Sequence, residues 1–175
     1  MVRTWLFSGL FVFTLVSNLF AQAIPPQHDP LKPRIPPDLI EAAKKLKPPF
    51  PMTPAMIAEG KALFIGKATC FVCHGNEGKG DGPGGMATVV GPRNFTNPEF
   101  HKVRTCGEMF WVASNGTKGD FSVKGKPSHP QGSGMVPYLI GAKSALGIQG
   151  TPTVKQDELW KIIMFEKSLG GGTCN

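Results

Sequence analysis

The stretch Cys70-Phe71-Val72-Cys73-His74 constrains this chain more than any other. Two thiols three positions apart, with a histidine directly after the second, form the C-x-x-C-H pattern. The spacing suits addition of both thiols to the two vinyl groups of one porphyrin. His74 then lies beneath the iron and supplies its proximal nitrogen. One covalent haem c is therefore the expected cofactor. A C-x-x-C pair also occurs in redox disulfides and zinc sites. A zinc site requires further ligands at matching spacing, and the chain holds no second C-x-x-C. A thioredoxin-like pair belongs beside a βαβ pattern, which this sequence does not carry.

The 175 residues suffice for one ordinary domain with appendages. Lys and Arg number 19 against 12 Asp and Glu, a formal charge of +7 before any haem propionate is counted. Such a surplus suits docking to an acidic protein surface or a negatively charged membrane face. Nucleic acid is not expected as a partner, because the lysines are scattered and form no basic stripe interleaved with aromatics. The 22 glycines and 17 prolines imply abundant loops, as expected where a cofactor replaces part of a conventional core.

Residues 1–23 read as an export signal. Arg3 gives a positive start, an apolar run extends from Trp5 to Phe20, and Ala21-Gln22-Ala23 is an A-x-A cleavage pattern. The rival is an uncleaved anchor. The run is short for a span and carries Ser8, Thr14, Ser17 and Asn18. Cleavage after Ala23 removes Arg3 and lowers the formal charge from +7 to +6. A periplasmic location follows from that reading. Residues 24–52 hold nine prolines, which points to an extended, solvated arm. One break, Asp38 to Lys47, allows a short helix capped by Asp38, with Leu39, Ile40, Ala43 and Leu46 along one side and able to dock on the domain.

Residues 53–175 carry the domain. Thr53 and Pro54 open a helix reaching about Gly66, with Met56, Gly60, Leu63 and Phe64 on one face. Gly60 in mid-helix points to a second helix crossing closely there. The glycine-rich run after His74, from Gly75 to Gly85, lacks the G-x-x-x-x-G-K-[ST] order of a phosphate loop. It reads as backbone wrapping the porphyrin edge. Thr105 and Glu108 form a capping box for a helix from Cys106 to Asn115, ended by Gly116. Residues 117–134 read as an irregular loop. The last helix is expected from about Val154 to Leu169, with Thr153 and Gln156 as its capping pair.

Taken in order, these features resemble a class I monohaem cytochrome c. They are a helix with Gly60 and Phe64, the Cys70–His74 motif, Gly91-Pro92, Met135 before a proline, and a terminal helix with Trp160. Pro92-Arg-Asn-Phe-Thr, Arg104-Thr105 and Ser114-Asn115-Gly116 further resemble a bacterial exported subgroup. The resemblance implies an all-α fold of about three to five helices around one covalent haem. It implies that the first and last helices cross at Gly60, with Trp160 and Phe64 beside it. It also implies iron held by His74 and a distal methionine. Met135, in a loop with Pro137 nearby, matches that pattern, although Val136 separates it from the proline. His101 and His129 are the alternatives. Pro92 resembles the proline whose carbonyl accepts the ring N–H of the proximal histidine, and Arg93 is a candidate propionate partner.

Cys106 and Cys174 fall outside the attachment motif. In an exported chain they are expected to form a disulfide, with two separate reduced thiols as the alternative. Iron capped by His74 and Met135 leaves no open position, so the expected function is one-electron transfer between exported or membrane-bound redox proteins. Two alternatives remain at this stage: a fixed electron-transfer subunit of a larger oxidoreductase, and a haem sensor or enzyme with a labile distal ligand. No G-x-S-x-G or H-E-x-x-H constellation points to hydrolysis.

Overall fold

Three long helices carry the architecture, and each begins where local chemistry satisfies its free N–H groups. The computed structural model describes residues 32–86, 91–117, 122–123, 126–127, 135–139 and 153–174. Residues 1–23, expected to be an export signal, the first part of the arm, His129 and most of the 117–134 loop lie outside the described residues. After a 3₁₀ turn at Pro37–Leu39 come α1 (Ile40–Lys44), α2 (Pro54–Ile65), α3 (Phe71–His74), α4 (Pro83–Met86), α5 (Pro98–Val103) and α6 (Cys106–Asn115). Two-residue strands β1 (Ser122–Val123) and β2 (Lys126–Pro127) pair antiparallel, and α7 (Gln156–Leu169) closes the chain. The fold is all-α; the small β-ladder lies within the segment expected to be irregular.

Thr53 Oγ1 accepts from the Met56 amide at 3.2 Å and starts α2. At α6 the capping box is complete: the Glu108 amide donates to Thr105 Oγ1 at 3.1 Å, and Glu108 Oε2 accepts from the Thr105 amide at 2.8 Å. The last helix starts two residues later than the sequence suggests. Its first turn is held by Glu158 Oε2 accepting from the Lys155 amide at 2.7 Å, not by Thr153 and Gln156. Helix α5 is opened by Asn97, whose side chain accepts from the Glu99 amide, with Pro98 at the first position. Buried Lys167 of α7 closes it, donating to the carbonyls of His101 and Arg104 at 2.7 Å each.

Helices α2 and α7 cross at Gly60. A Cβ there would come within 1.9 Å of the Lys161 carbonyl oxygen, so only glycine permits the approach. The aromatic partner at the crossing is Phe165, edge-on to Phe64 with centroids 5.3 Å apart. Trp160, expected beside Gly60, instead stacks on Phe110 of α6 at 3.9 Å and ties α7 to α6. The two residues point to different sides of α7, so one helix serves two partners. Cys106 and Cys174 form a disulfide that pins the start of α6 to the chain after α7.

The arm is not a solvated extension over its described part. Arg34, Ile35, Pro36 and Ala43 are buried. Helix α1 packs against α6 at Gly107, where a Cβ would meet the carbonyl oxygens of Ala43 at 2.2 Å and Leu46 at 2.6 Å. Proline restricts the backbone but does not prevent apolar neighbours from docking. Asp38 lies inside the 3₁₀ turn and makes no cap.

Candidate haem site

Helix α3 is a single turn, and it sets three side chains in one place. Cys70 is its N-cap residue, and Cys73 and His74 follow three and four positions later, so all three share one side of the turn. Both thiols are free. Burial pushes both thiol pKa values up. His74 is buried, and its Nδ1 lies 3.1 Å from the Arg93 carbonyl oxygen. A carbonyl only accepts, so Nδ1 carries the proton and Nε2 keeps its lone pair for a metal. Burial pulls the His74 pKa down to about 4, which leaves the imidazole neutral, as ligation requires. Phe95 stacks on the ring at 4.6 Å and fixes its plane.

The accepting carbonyl belongs to Arg93 and not to Pro92. Pro92 is buried one residue earlier, with its ring where a Cβ on Gly85 would have to go. Pro92 thus packs the loop against Gly85 of α4, and the next peptide turns its oxygen to the ring. The glycine-rich run serves the same helix. It wraps the backbone of α3. The Gly80 amide donates to the His74 carbonyl at 2.8 Å and the Gly82 amide to the Cys73 carbonyl at 3.1 Å. A Cβ on Gly82 would meet the Phe71 and Val72 oxygens, and one on Gly85 the Cys73 oxygen at 2.5 Å.

A cavity open to solvent on one side faces His74. Met109, Val112 and Ala113 of α6 give it an apolar wall, and Phe95 and Phe100 another. Met135 reaches it from the segment 135–139. That segment is pinned by backbone bonds: Thr117 to the Met135 carbonyl at 3.0 Å, Tyr138 to the Ala113 carbonyl at 3.0 Å, and Thr153 to the Tyr138 carbonyl at 2.9 Å. The Tyr138 hydroxyl donates to the Ala68 carbonyl at 2.9 Å, next to the attachment helix. Gly116 does more than end α6. Its φ is +70°, and a Cβ would lie 2.8 Å from the Met135 oxygen. The sequence marks Gly116 as a helix terminator but says nothing of the segment it admits.

Charged groups complete the lining. Arg93 enters beside His74, with its guanidinium 4.9 Å from the Phe100 ring centroid. Arg104 pairs with Glu108 at 3.3 Å. Glu166 of α7 is fully enclosed, and burial pushes its carboxyl up to about 8. Arg34 arrives from the arm; burial, and then the neighbouring charge of Arg93, pull its guanidinium down to about 9. His101 is elsewhere. It is buried on α5 with Nε2 facing the Phe95 carbonyl at 2.5 Å, and it does not line this cavity.

The residues present fit a covalently held haem: paired free thiols on one turn, a neutral imidazole with a spare lone pair, an apolar cavity and a buried guanidinium. The sequence matches the family model described as Cytochrome c over residues 57–169. This chain belongs to the cytochrome c family. The cytochrome carries covalent haem c, and its role is electron transfer. No curated protein matches the chain. Among solved structures it is similar to a chain of the Kuenenia stuttgartiensis reducing HAO-like protein complex, at 22% identity and a TM-score of 0.44. That match covers 72% of this cytochrome and 48% of the solved chain, so the cytochrome spans about half of that chain's length.

Proposed function

We propose that this cytochrome is a one-electron carrier of the periplasm, with its haem attached at Cys70 and Cys73 and its iron ligated by His74 Nε2 and Met135 Sδ. The observation that carries the reading is the common cavity. His74 and Met135 both line it, from two independently pinned segments. A haem held by both residues would have no open position for oxygen or peroxide, and it would supply a reversible one-electron couple. A thioether on iron favours the ferrous form and a raised potential. The buried, mainly apolar walls act in the same direction. Arg93, at the cavity beside His74, is a propionate partner in this reading.

Export is supported by the sequence of residues 1–23 and by the Cys106–Cys174 disulfide, which belongs to an oxidising compartment. Among the described residues no helix is long and apolar enough to cross a membrane. The partner is a redox protein with an acidic face, met by the positive surplus of the chain. Val72, between the two haem cysteines, is 39% exposed, and Val136, beside Met135, is 41% exposed. These two apolar side chains give the electron-transfer face a contact of low specificity, suited to brief docking.

Visible spectra of oxidised and reduced protein, with a Met135→Ala control, test the ligation. The wild type is expected to be low-spin, with a sulfur-to-iron charge-transfer band that the variant loses. The variant is also expected to bind carbon monoxide quickly when reduced. A variant with the wild-type spectrum removes Met135 from the iron.

A further inference from the structure

Arg34 lies upstream of the family match, on a proline-rich arm with no resemblance to the rest of the domain. It is nevertheless only 8% exposed, and it lines the cavity with His74 and Met135. Its Nε and Nη2 are buried and have no hydrogen-bond partner among the described residues. A buried guanidinium without a partner is too costly to persist. The carboxylates that share the cavity do not supply one. Glu108 is committed to the Thr105 amide, the Thr105 hydroxyl and Arg104. Glu166 is held neutral by burial around pH 7. Arg93, the charged neighbour of Arg34, repels it.

Nothing among the described residues completes Arg34, and an anion that enters the cavity from outside the chain would. A guanidinium fork matches a carboxylate in two parallel hydrogen bonds. The arm is docked well enough to hold such a pair. Ala43 is 1% exposed, and α1 lies against Gly107 so closely that no side chain fits between them. We propose that Arg34 binds a propionate of the haem and that the arm is thereby part of the haem site, a strap that raises the potential of the iron. The proposal rests on the haem reading above. A fixed cation near the iron, in a poorly solvated cavity, disfavours the extra positive charge of the ferric state.

Spectroelectrochemistry and resonance Raman spectra of purified wild type, Arg34→Gln and Arg34→Lys test this. In Arg34→Gln the potential is expected to fall, with about a tenfold change in the one-electron equilibrium, which is about 59 mV. Its propionate bending band is expected to shift, while the haem stays attached and low-spin. Arg34→Lys keeps the charge and loses the fork, so the potential is expected to stay within about threefold of wild type in equilibrium constant while the propionate band still moves. An Arg34→Gln holoprotein with wild-type potential and wild-type propionate bands overturns the assignment and leaves the haem reading standing. If Arg34→Gln does not accumulate, an unshifted propionate band in Arg34→Lys overturns it equally. A colourless wild type, with no mass added at Cys70 and Cys73, overturns both readings.

Discussion

The two sides of the haem cavity are built in opposite ways. On the His74 side, everything needed lies within residues 70–95: the thiols, the imidazole, the glycine run that wraps α3, and the Arg93 carbonyl. On the Met135 side, the wall is assembled from α6, the 135–139 segment, α7 and the N-terminal arm, which are far apart in sequence. The first side closes its contacts at small loop-closure cost. The second requires the whole domain to be in place before the methionine meets the cavity. Covalent attachment is thus secured locally, and the tuning of the iron is a tertiary property.

This contrast separates the expected effects of mutation. The largest belongs to the His74 side. Gly85→Val places carbon atoms against the Cys73 carbonyl and the Pro92 ring, both of which are backbone or rigid. Holoprotein yield, measured by haem absorbance per polypeptide after export, is expected to drop more than about tenfold, since a shift of the attachment turn by an ångström disables a positioned reaction. A wild-type yield would mean that α3 does not depend on the glycine run. Next is the disulfide, which binds the scattered elements of the other side. Cys106 and Cys174 are 68 positions apart, and losing the bond in Cys106→Ser/Cys174→Ser is expected to cost about 4 kcal/mol in the chain-entropy model. Denaturant titration of the holoprotein measures it. The haem should remain attached in the variant; a loss of attachment equal to that of Gly85→Val would erase the distinction between the two sides.

The same contrast decides what a reader of the sequence sees. The Cys70–His74 motif and the Thr53 and Thr105 caps are local signals with local causes, Gly60 is a local mark of a long-range crossing because glycine in mid-helix is costly, and the structure carries each of them. Asn97-Pro98 is an equally plain helix start, and it marks α5 for a reading that scans for side-chain caps followed by proline. The one-residue shift from Pro92 to Arg93 was not readable, because which carbonyl faces a ring depends on how the loop packs on Gly85. The burial of Arg34 was hidden for a related reason. Composition marks the arm as extended, while its docking on α6 depends on a bare backbone at Gly107, more than sixty residues away. Lys167 falls on an apolar helix face by periodicity, but its ammonium serves two carbonyls at the end of α5, a long-range contact without a sequence pattern.

A smaller effect, and one confined to the methionine side, is expected from Gly116→Ala. The added methyl meets the Met135 carbonyl and Pro137 in a backbone conformation that suits glycine, at a cost of about 1–3 kcal/mol. The haem should stay attached while part of the population loses the sulfur-to-iron band in absorption spectra. Full retention of that band would show that the segment adjusts without moving the sulfur.

The last expected effect is a slope with pH and not a loss at one pH. Glu166 stands on the Met135 side, and burial alone raises its carboxyl from the ordinary 4.5 to about 8. The folded protein therefore holds a proton there that the unfolded chain releases above about pH 4.5. The stability contributed by the neutral form is complete below that pH and is lost as pH rises toward 8, by up to about 1.4 kcal/mol per unit. His74 on the other side is pushed the opposite way, to about 4, and is already neutral throughout this window. In the unfolded chain its pKa is near 6.5, so His74 contributes a rising slope below about pH 6.5 and none from there to pH 8. Glu166→Gln removes the proton exchange while keeping the shape, so denaturant titrations of the variant holoprotein are expected to be flatter than wild type between about pH 6.5 and 8. An unchanged slope would mean that Glu166 is ionised against a partner in the folded protein, and that the methionine wall is less dry than its packing implies.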